Sequence, residues 1–137
     1  MKVVLDTNVL VSGLLNPYGA PGRIVQMVAA GELQLCFDAR ILAEYRQVLR
    51  RPAFPFGPEE VDALLRQVHA AGEPVAARPL ARALPDGDDE PMLEVAIGGD
   101  AEYLVTGNVR HFPAKCRGGI RVVSPVEFLA ICRQRLE

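Results

Sequence analysis

The chain has 137 residues, of which 50% are hydrophobic and 23% are charged. This length and composition predict a single globular domain over residues 1–137, and they exclude disordered, collagen-like and disulfide-rich classes. The formal net charge of -2 indicates no particular class of partner.

The sequence predicts a cytoplasmic protein with no membrane partner. The longest uncharged stretch, residues 7–22, is too polar and too rich in glycine to span a membrane. Asp6 interrupts the apolar amino terminus, which argues against a signal peptide. The three cysteines are widely spaced and odd in number, which indicates reduced thiols.

Short apolar runs alternate with amphipathic stretches along the chain. The predicted elements are, in chain order, strand 3–5, helix 8–15, loop 16–22, helix 24–29, strand 33–37, helix 41–49, helix 59–71, strand 75–77, a turn at 84–89, helix 92–97, strand 103–105, strand 120–123 and helix 125–135. The last helix begins with Ser124, Pro125 and Glu127, a strong start pattern. The alternation predicts an α/β fold with a parallel sheet.

In open parallel sheets, functional sites lie beyond the carboxyl ends of the strands. Three places therefore merit attention: Asp6 after the first strand, Asp38 after the second, and 106–108 after the fourth. Asp6 has an alternative role as a helix cap, although Thr7 is an equally good cap residue.

Carboxylates from other elements are candidates for the same site. Glu44 lies on the third helix, where a solvated face with weak ion pairs is the alternative interpretation. Residues 86–90 contain four acids, more than one helix start needs for capping. A bound cation would relieve their repulsion, and Mg²⁺ prefers carboxylate oxygen and water. Metals held in this way activate water and stabilise the leaving oxygen of a phosphodiester.

Four segments then become informative together. They read V-V-L-D-T-N, A-E-Y-R-Q-V-L-R-R-P-A-F, D-G-D-D-E-P-M-L-E-V-A and A-E-Y-L-V-T-G-N-V-R-H-F. Their order and spacing resemble those of PIN-domain ribonucleases, and most closely the VapC-like toxins of toxin–antitoxin pairs. The resemblance implies a PIN-like three-layer sandwich whose five-stranded parallel sheet has the order 3-2-1-4-5, with helices on both faces.

The resemblance also assigns roles to individual residues. It implies that Asp6, Glu44 and Asp89 are catalytic and hold Mg²⁺ or Mn²⁺, with Asp88 as an adjacent ligand. Two further positions, where relatives often carry Asp, are occupied here by Asn108 and His111, and His111 has a surface histidine as its alternative interpretation. Asn8 and Thr106 match polar positions that orient acids or water, with ordinary capping as the alternative.

The function implied is an endoribonuclease that cleaves single-stranded or loop RNA as the toxin of a type II pair. Arg40, Arg51 and Arg110 are candidates for phosphate contacts. The implied partners are RNA, a cognate antitoxin and a second copy of the chain in a homodimer. Phe54 and Phe56 either anchor the antitoxin or pack under their own loop.

Other functions fit the sequence less well. One alternative is an inactive PIN-like domain that binds RNA or protein, and another is a housekeeping RNA-processing nuclease. A haloacid-dehalogenase-like phosphatase is disfavoured because Asn8 occupies the place of its second Asp. A receiver domain is disfavoured because the acid cluster precedes a helix.

Overall fold

The computed structural model describes residues 1–136 of the chain. Its strands and α-helices are, in chain order, β1 (Lys2–Leu5), α1 (Thr7–Leu15), α2 (Ala20–Ala29), β2 (Gln34–Phe37), α3 (Ala39–Leu49), α4 (Pro58–Ala71), β3 (Glu73–Pro74), α5 (Glu90–Gly98), β4 (Tyr103–Val105), β5 (Arg121–Val123) and α6 (Pro125–Leu136). Single turns of 3-10 helix occur at Gly87–Asp89, Val109–His111 and Ala114–Cys116.

The five strands form one parallel sheet with the order β3-β2-β1-β4-β5. The helices pack around this sheet, so the predicted fold class and strand order are confirmed. In the β1–β4 register, Leu5 pairs with Val105. The residues that follow them, Asp6 and Thr106, therefore lie side by side at the carboxyl edge of the sheet.

The hydrophobic core is formed by the central strands and by the apolar stripes of the helices. Val3, Val4 and Leu5 are fully buried, as expected for a strand covered by helices. The largest fully buried side chains include Tyr45, Phe112 and Phe128. On α4, all four residues of the predicted stripe are buried, namely Val61, Leu64, Leu65 and Val68.

Two predicted boundaries are wrong. The third strand was expected at 75–77, but β3 is Glu73–Pro74, and it begins directly after the close contact of Gly72 with the backbone of Val68 and Leu35. Pro74 has no backbone N–H to donate, yet it is tolerated because β3 is an edge strand. The second helix begins at Ala20 inside the predicted loop, since Pro21 is well suited to a first helical turn.

The cap of the last helix follows the prediction. The Ser124 hydroxyl accepts a hydrogen bond from the Glu127 backbone N–H, and the Glu127 carboxylate accepts one from the Ser124 N–H, both at 3.2 Å.

All three cysteines are free thiols. Over residues 1–136, the structure has no helix that is long and apolar enough to cross a membrane.

Candidate active site

Asp6 lies at the point where β1 ends and α1 begins. Its backbone N–H donates to the Val105 carbonyl over 2.9 Å, which joins the ends of β1 and β4. The side chain is only 8% exposed. It does not cap α1 through its carboxylate, since no side-chain capping bond is formed there. Asp6 therefore occupies the N-cap position of α1 without using its carboxylate as the cap, and that carboxylate is available for other chemistry.

Residues from two strand ends hold the Asp6 carboxylate. The hydroxyl of Thr106, itself fully buried, donates to Asp6 Oδ2 over 2.8 Å, and the Asn8 amide reaches the same oxygen at 3.4 Å. Asn8 Oδ1 also accepts from the Gly107 backbone N–H at 3.0 Å. Asn8 therefore bridges the ends of β1 and β4, and Thr106 and Asn8 restrict the orientation of Asp6.

Glu44 is brought to Asp6 by its neighbour on α3. The Tyr45 ring is fully buried, and its hydroxyl donates to the Leu5 carbonyl over 2.5 Å. This contact fixes α3 against the end of β1. Glu44, one residue earlier on the helix, then accepts a hydrogen bond from the Thr7 hydroxyl. The half-buried Glu44 thus points towards the site rather than belonging to a solvated face.

The acidic segment 86–90 separates into residues with different roles. Asp86 caps the 3-10 turn by accepting from the Asp88 N–H at 2.9 Å, and Glu90 accepts from the Leu84 N–H at 3.0 Å. Asp88 is exposed. Asp89 is the residue that turns inward, where its Oδ2 lies 3.2 Å from His111 Nδ1.

The three inward carboxylates influence one another electrostatically. Burial raises the pKa of Asp6; the Thr106 hydrogen bond opposes this, and the charges of Asp89 and Glu44 raise the pKa further. Burial also raises the pKa of Asp89, where His111 opposes the effect and the charges of Asp86 and Glu44 add to it. Asp6, Glu44 and Asp89 therefore form one site in which like charges repel.

The donor atoms at this site fit a hard divalent cation. Asp6, Glu44 and Asp89 offer carboxylate oxygen. Asp89 Oδ2 is buried beside His111 Nδ1, and it forms no well-aligned hydrogen bond within residues 1–136. A cation would satisfy that oxygen and offset the repulsion. In the described part of the chain, no group of three or more His, Cys, Asp or Glu side chains is arranged so that it could hold a metal ion without a rearrangement. The Thr7–Glu44 hydrogen bond and the His111–Asp89 contact occupy two of the acids instead.

The remaining predicted site residues differ in exposure and in the contacts that they form. Asn108 is exposed just beyond β4, and its N–H donates to the Thr106 hydroxyl at 3.0 Å. Arg40 is occupied by ion pairs to Glu94 at 2.7 Å and to Asp38 at 2.8 Å. The other two candidates for phosphate contact, Arg51 and Arg110, are exposed and form no ion pair within residues 1–136.

Asp38, the residue that follows the second strand, has a structural role. Its Oδ1 accepts from the Ile41 N–H at 3.0 Å, which caps α3. The sequence interpretation missed Thr7 and Tyr45 as residues that orient Glu44. Thr7 could have been identified from the sequence, because it is a polar residue that directly follows the strand-end acid Asp6. The bond from Tyr45 to a backbone carbonyl has no sequence signature.

Comparison with known proteins is informative at the level of the family. Residues 2–110 match the PIN domain, and this range includes Asp6, Glu44 and Asp89. A segment of 28 residues is 54% identical to MJ1680, an uncharacterised protein of Methanocaldococcus jannaschii. That segment covers 20% of this chain and 18% of the length of MJ1680. PIN domains have a nuclease-type fold and typically use divalent metals. The match covers most of the sequence, and the chain belongs to the PIN domain family.

Proposed function

We propose that this protein is a Mg²⁺- or Mn²⁺-dependent endoribonuclease that cleaves single-stranded or loop RNA. The proposal rests on the electrostatic coupling of Asp6, at the end of β1, with Glu44 and Asp89: burial and the charges of neighbouring acids raise the pKa of Asp6 and of Asp89. Perturbed carboxylates of this kind are typical of functional sites.

The chain's own residues prepare these carboxylates. Thr106 and Asn8 orient Asp6, and Thr7 orients Glu44. His111 lowers the pKa of Asp89 and so favours its ionised form. When bound, a divalent metal would supply activation of water and stabilisation of the charge that develops on a phosphodiester. Asp6, Glu44 and Asp89 would hold it.

The exposed arginines suit a polyanionic substrate. Arg110 lies beside His111 on the turn after β4, and Arg51 follows the end of α3. Guanidinium groups match phosphate geometry well. Single strands are favoured over duplexes because base edges are poorly accessible in the deep major groove of A-form RNA.

We further propose that the protein acts as the toxin of a type II toxin–antitoxin pair. The support is the resemblance of the four motif segments to VapC-like toxins, which use an antitoxin as inhibitor and form homodimers. The Phe54 and Phe56 rings stack at 5.4 Å between centroids and are half-buried. Phe56 packs against the core, so Phe54 is the better candidate for contact with the antitoxin.

The decisive experiment for the reaction is an analysis of product ends. Purified protein with Mn²⁺ is incubated with a labelled RNA that contains a hairpin loop and a single-stranded tail. We expect cuts in the loop or tail that leave a 5′-phosphate and a 3′-hydroxyl. Products with a 2′,3′-cyclic phosphate would contradict metal-assisted hydrolysis, because they arise from attack by the RNA's own hydroxyl.

The same experiment tests the alternative of a PIN-like domain that binds without cleaving. Such a domain would retain the labelled RNA in a binding assay and release no products with either metal. Full-length RNA after incubation with Mn²⁺ and with Mg²⁺ would therefore replace the nuclease proposal by a binding function.

A further inference from the structure

A second charged surface lies between α3 and α4. It is a groove of about 540 Å³, and its lining includes Arg46, Arg50, Asp62, Leu65, Arg66 and His69. We call it the α3–α4 groove. Leu65 is buried, whereas the three arginines and His69 are exposed. The groove therefore combines an apolar base with a cationic rim.

Among the described residues, the arginines that line the groove outnumber its one acidic lining residue, Asp62. Arg50 pairs with Asp62, but Arg46 and Arg66 form no ion pair within residues 1–136. Arg46 is on α3 and Arg50 is the C-cap residue of that helix, four positions later, and like charges at this spacing repel. The whole chain has a net charge of -2, so this concentration of arginines is local and is suited to an anion.

Helical geometry relates the groove to the nuclease site. One residue advances an α-helix by about 100°, so Arg46, two residues after Glu44, lies on the opposite side of α3. Arg51 lies beyond the last residue of α3, directly after the C-cap residue Arg50. Arg50, which lines the groove, and the exposed Arg51 therefore place two adjacent arginines at the carboxyl-terminal end of the helix that carries Glu44.

We propose that the α3–α4 groove binds the phosphate backbone of an RNA strand whose cleavage point lies at Asp6, Glu44 and Asp89. The strand passes from the acids round the end of α3, along Arg51 and Arg50, to Arg46 and Arg66. The identity of the ligand as RNA rests on the proposed function. Phosphate is favoured because guanidinium groups bind it through paired hydrogen bonds.

The test removes two unpaired cations from the groove. Arg46→Gln/Arg66→Gln is compared with a matched control, Arg23→Gln/Arg133→Gln, which removes two exposed arginines from α2 and α6. Glutamine preserves helix propensity. Binding of a labelled single-stranded RNA of about 20 nucleotides, longer than most single-domain sites, is measured by fluorescence anisotropy in chelator over a range of salt concentrations.

The expected result is a change in salt dependence. Each phosphate contact on a single strand contributes about 0.7 to the slope of log K against log salt, so the groove variant should lose about 1.4. The control should keep the wild-type slope. In cleavage assays, the groove variant should show a raised KM for the long RNA, whereas an RNA of about four nucleotides, near the lower limit of such sites, should be cut as by wild type.

The outcomes separate this proposal from the nuclease proposal. A reduced salt-dependence slope for the groove variant, with no RNA cleavage by wild type or any variant, would support RNA binding in the groove and overturn the nuclease function. Normal cleavage, with the salt-dependence slope of the groove variant unchanged from wild type, would overturn the proposal that the groove binds RNA. Binding of polyglutamate that depends on Arg46 and Arg66, with RNA binding unaffected, would also overturn it and identify an acidic protein segment as the occupant.

Discussion

Thr106 donates a hydrogen bond of 2.8 Å to the Asp6 carboxylate across 100 positions of sequence. The pairing of β1 with β4 makes this contact possible, because it places the two strand ends side by side. The Thr106 hydroxyl also accepts from the Asn108 N–H. One buried hydroxyl thus links the first acid of the site to the loop after β4.

Replacing Thr106 with Val should lower the cleavage rate while the fold is retained. The substitution leaves Asp6 Oδ2 and the Asn108 N–H without this partner, which costs about 1–3 kcal/mol of stability. Partners that orient metal ligands are typically worth ~10–100-fold in activity. Thr106→Ser keeps the hydroxyl and is the matched control. Equal rates for Thr106→Val and wild type would show that Thr106 does not position Asp6.

Asp6→Asn should stabilise the metal-free protein at neutral pH. The pKa of Asp6 is raised in the folded state above the ordinary value of 3.8. As the pH rises, Asp6 ionises at a lower pH in the unfolded chain than in the folded protein. The free energy of unfolding therefore falls as the pH rises through the raised pKa. The advantage of the variant should shrink as the pH falls towards 3.8. Urea unfolding in chelator at neutral and acidic pH measures this difference, and a variant less stable than wild type at neutral pH would contradict it.

Asp88 and Asp89 should differ sharply although they are adjacent. Asp89 is turned inward beside His111, whereas Asp88 is exposed. Asp89→Asn should therefore reduce cleavage by at least ~100-fold, the upper range for residues that support a metal, and Asp88→Asn should retain most of it. Single-turnover rates on one RNA give the comparison. A larger loss for Asp88→Asn would assign the ligand to Asp88 instead.

The toxin role predicts growth arrest. Induced expression of the wild-type chain in a bacterial host should stop growth, and Asp6→Asn, made at an equal level, should not. The measurement is colony formation after induction, with immunoblots to match expression. Harmless expression of a protein that cleaves RNA in vitro would favour a housekeeping RNA-processing nuclease.

Much of the fold was predictable because short buried strands and amphipathic helices have distinct patterns. Val3–Leu5 followed by Asp6 indicated a strand end and its acid directly. The two-residue β3 was misplaced because its pairing depends on the position of β2, which local sequence does not encode. The edge strand contributes little apolar surface, so no periodic pattern marks it.

The site was predictable in its acids but not in their arrangement. Four acids at 86–90 gave no physical reason to select Asp89, which only the family resemblance favoured. The structure distinguishes them because Asp86 and Glu90 are used by backbone N–H groups. The orientation of Glu44 depends on Thr7 and on the anchoring of Tyr45, contacts between residues about 40 positions apart, which the sequence pattern does not reveal.

The central claim is that Asp6, Glu44 and Asp89 hold the metal on which RNA cleavage depends. The most direct measurement is the single-turnover cleavage rate of a single-stranded RNA as Mn²⁺ is added to chelator-treated protein, for wild type and Asp6→Asn in parallel. The account predicts a rate that rises to saturation for wild type and stays at background for the variant. Cleavage that persists in excess chelator, or equal rates for the two proteins, would contradict it.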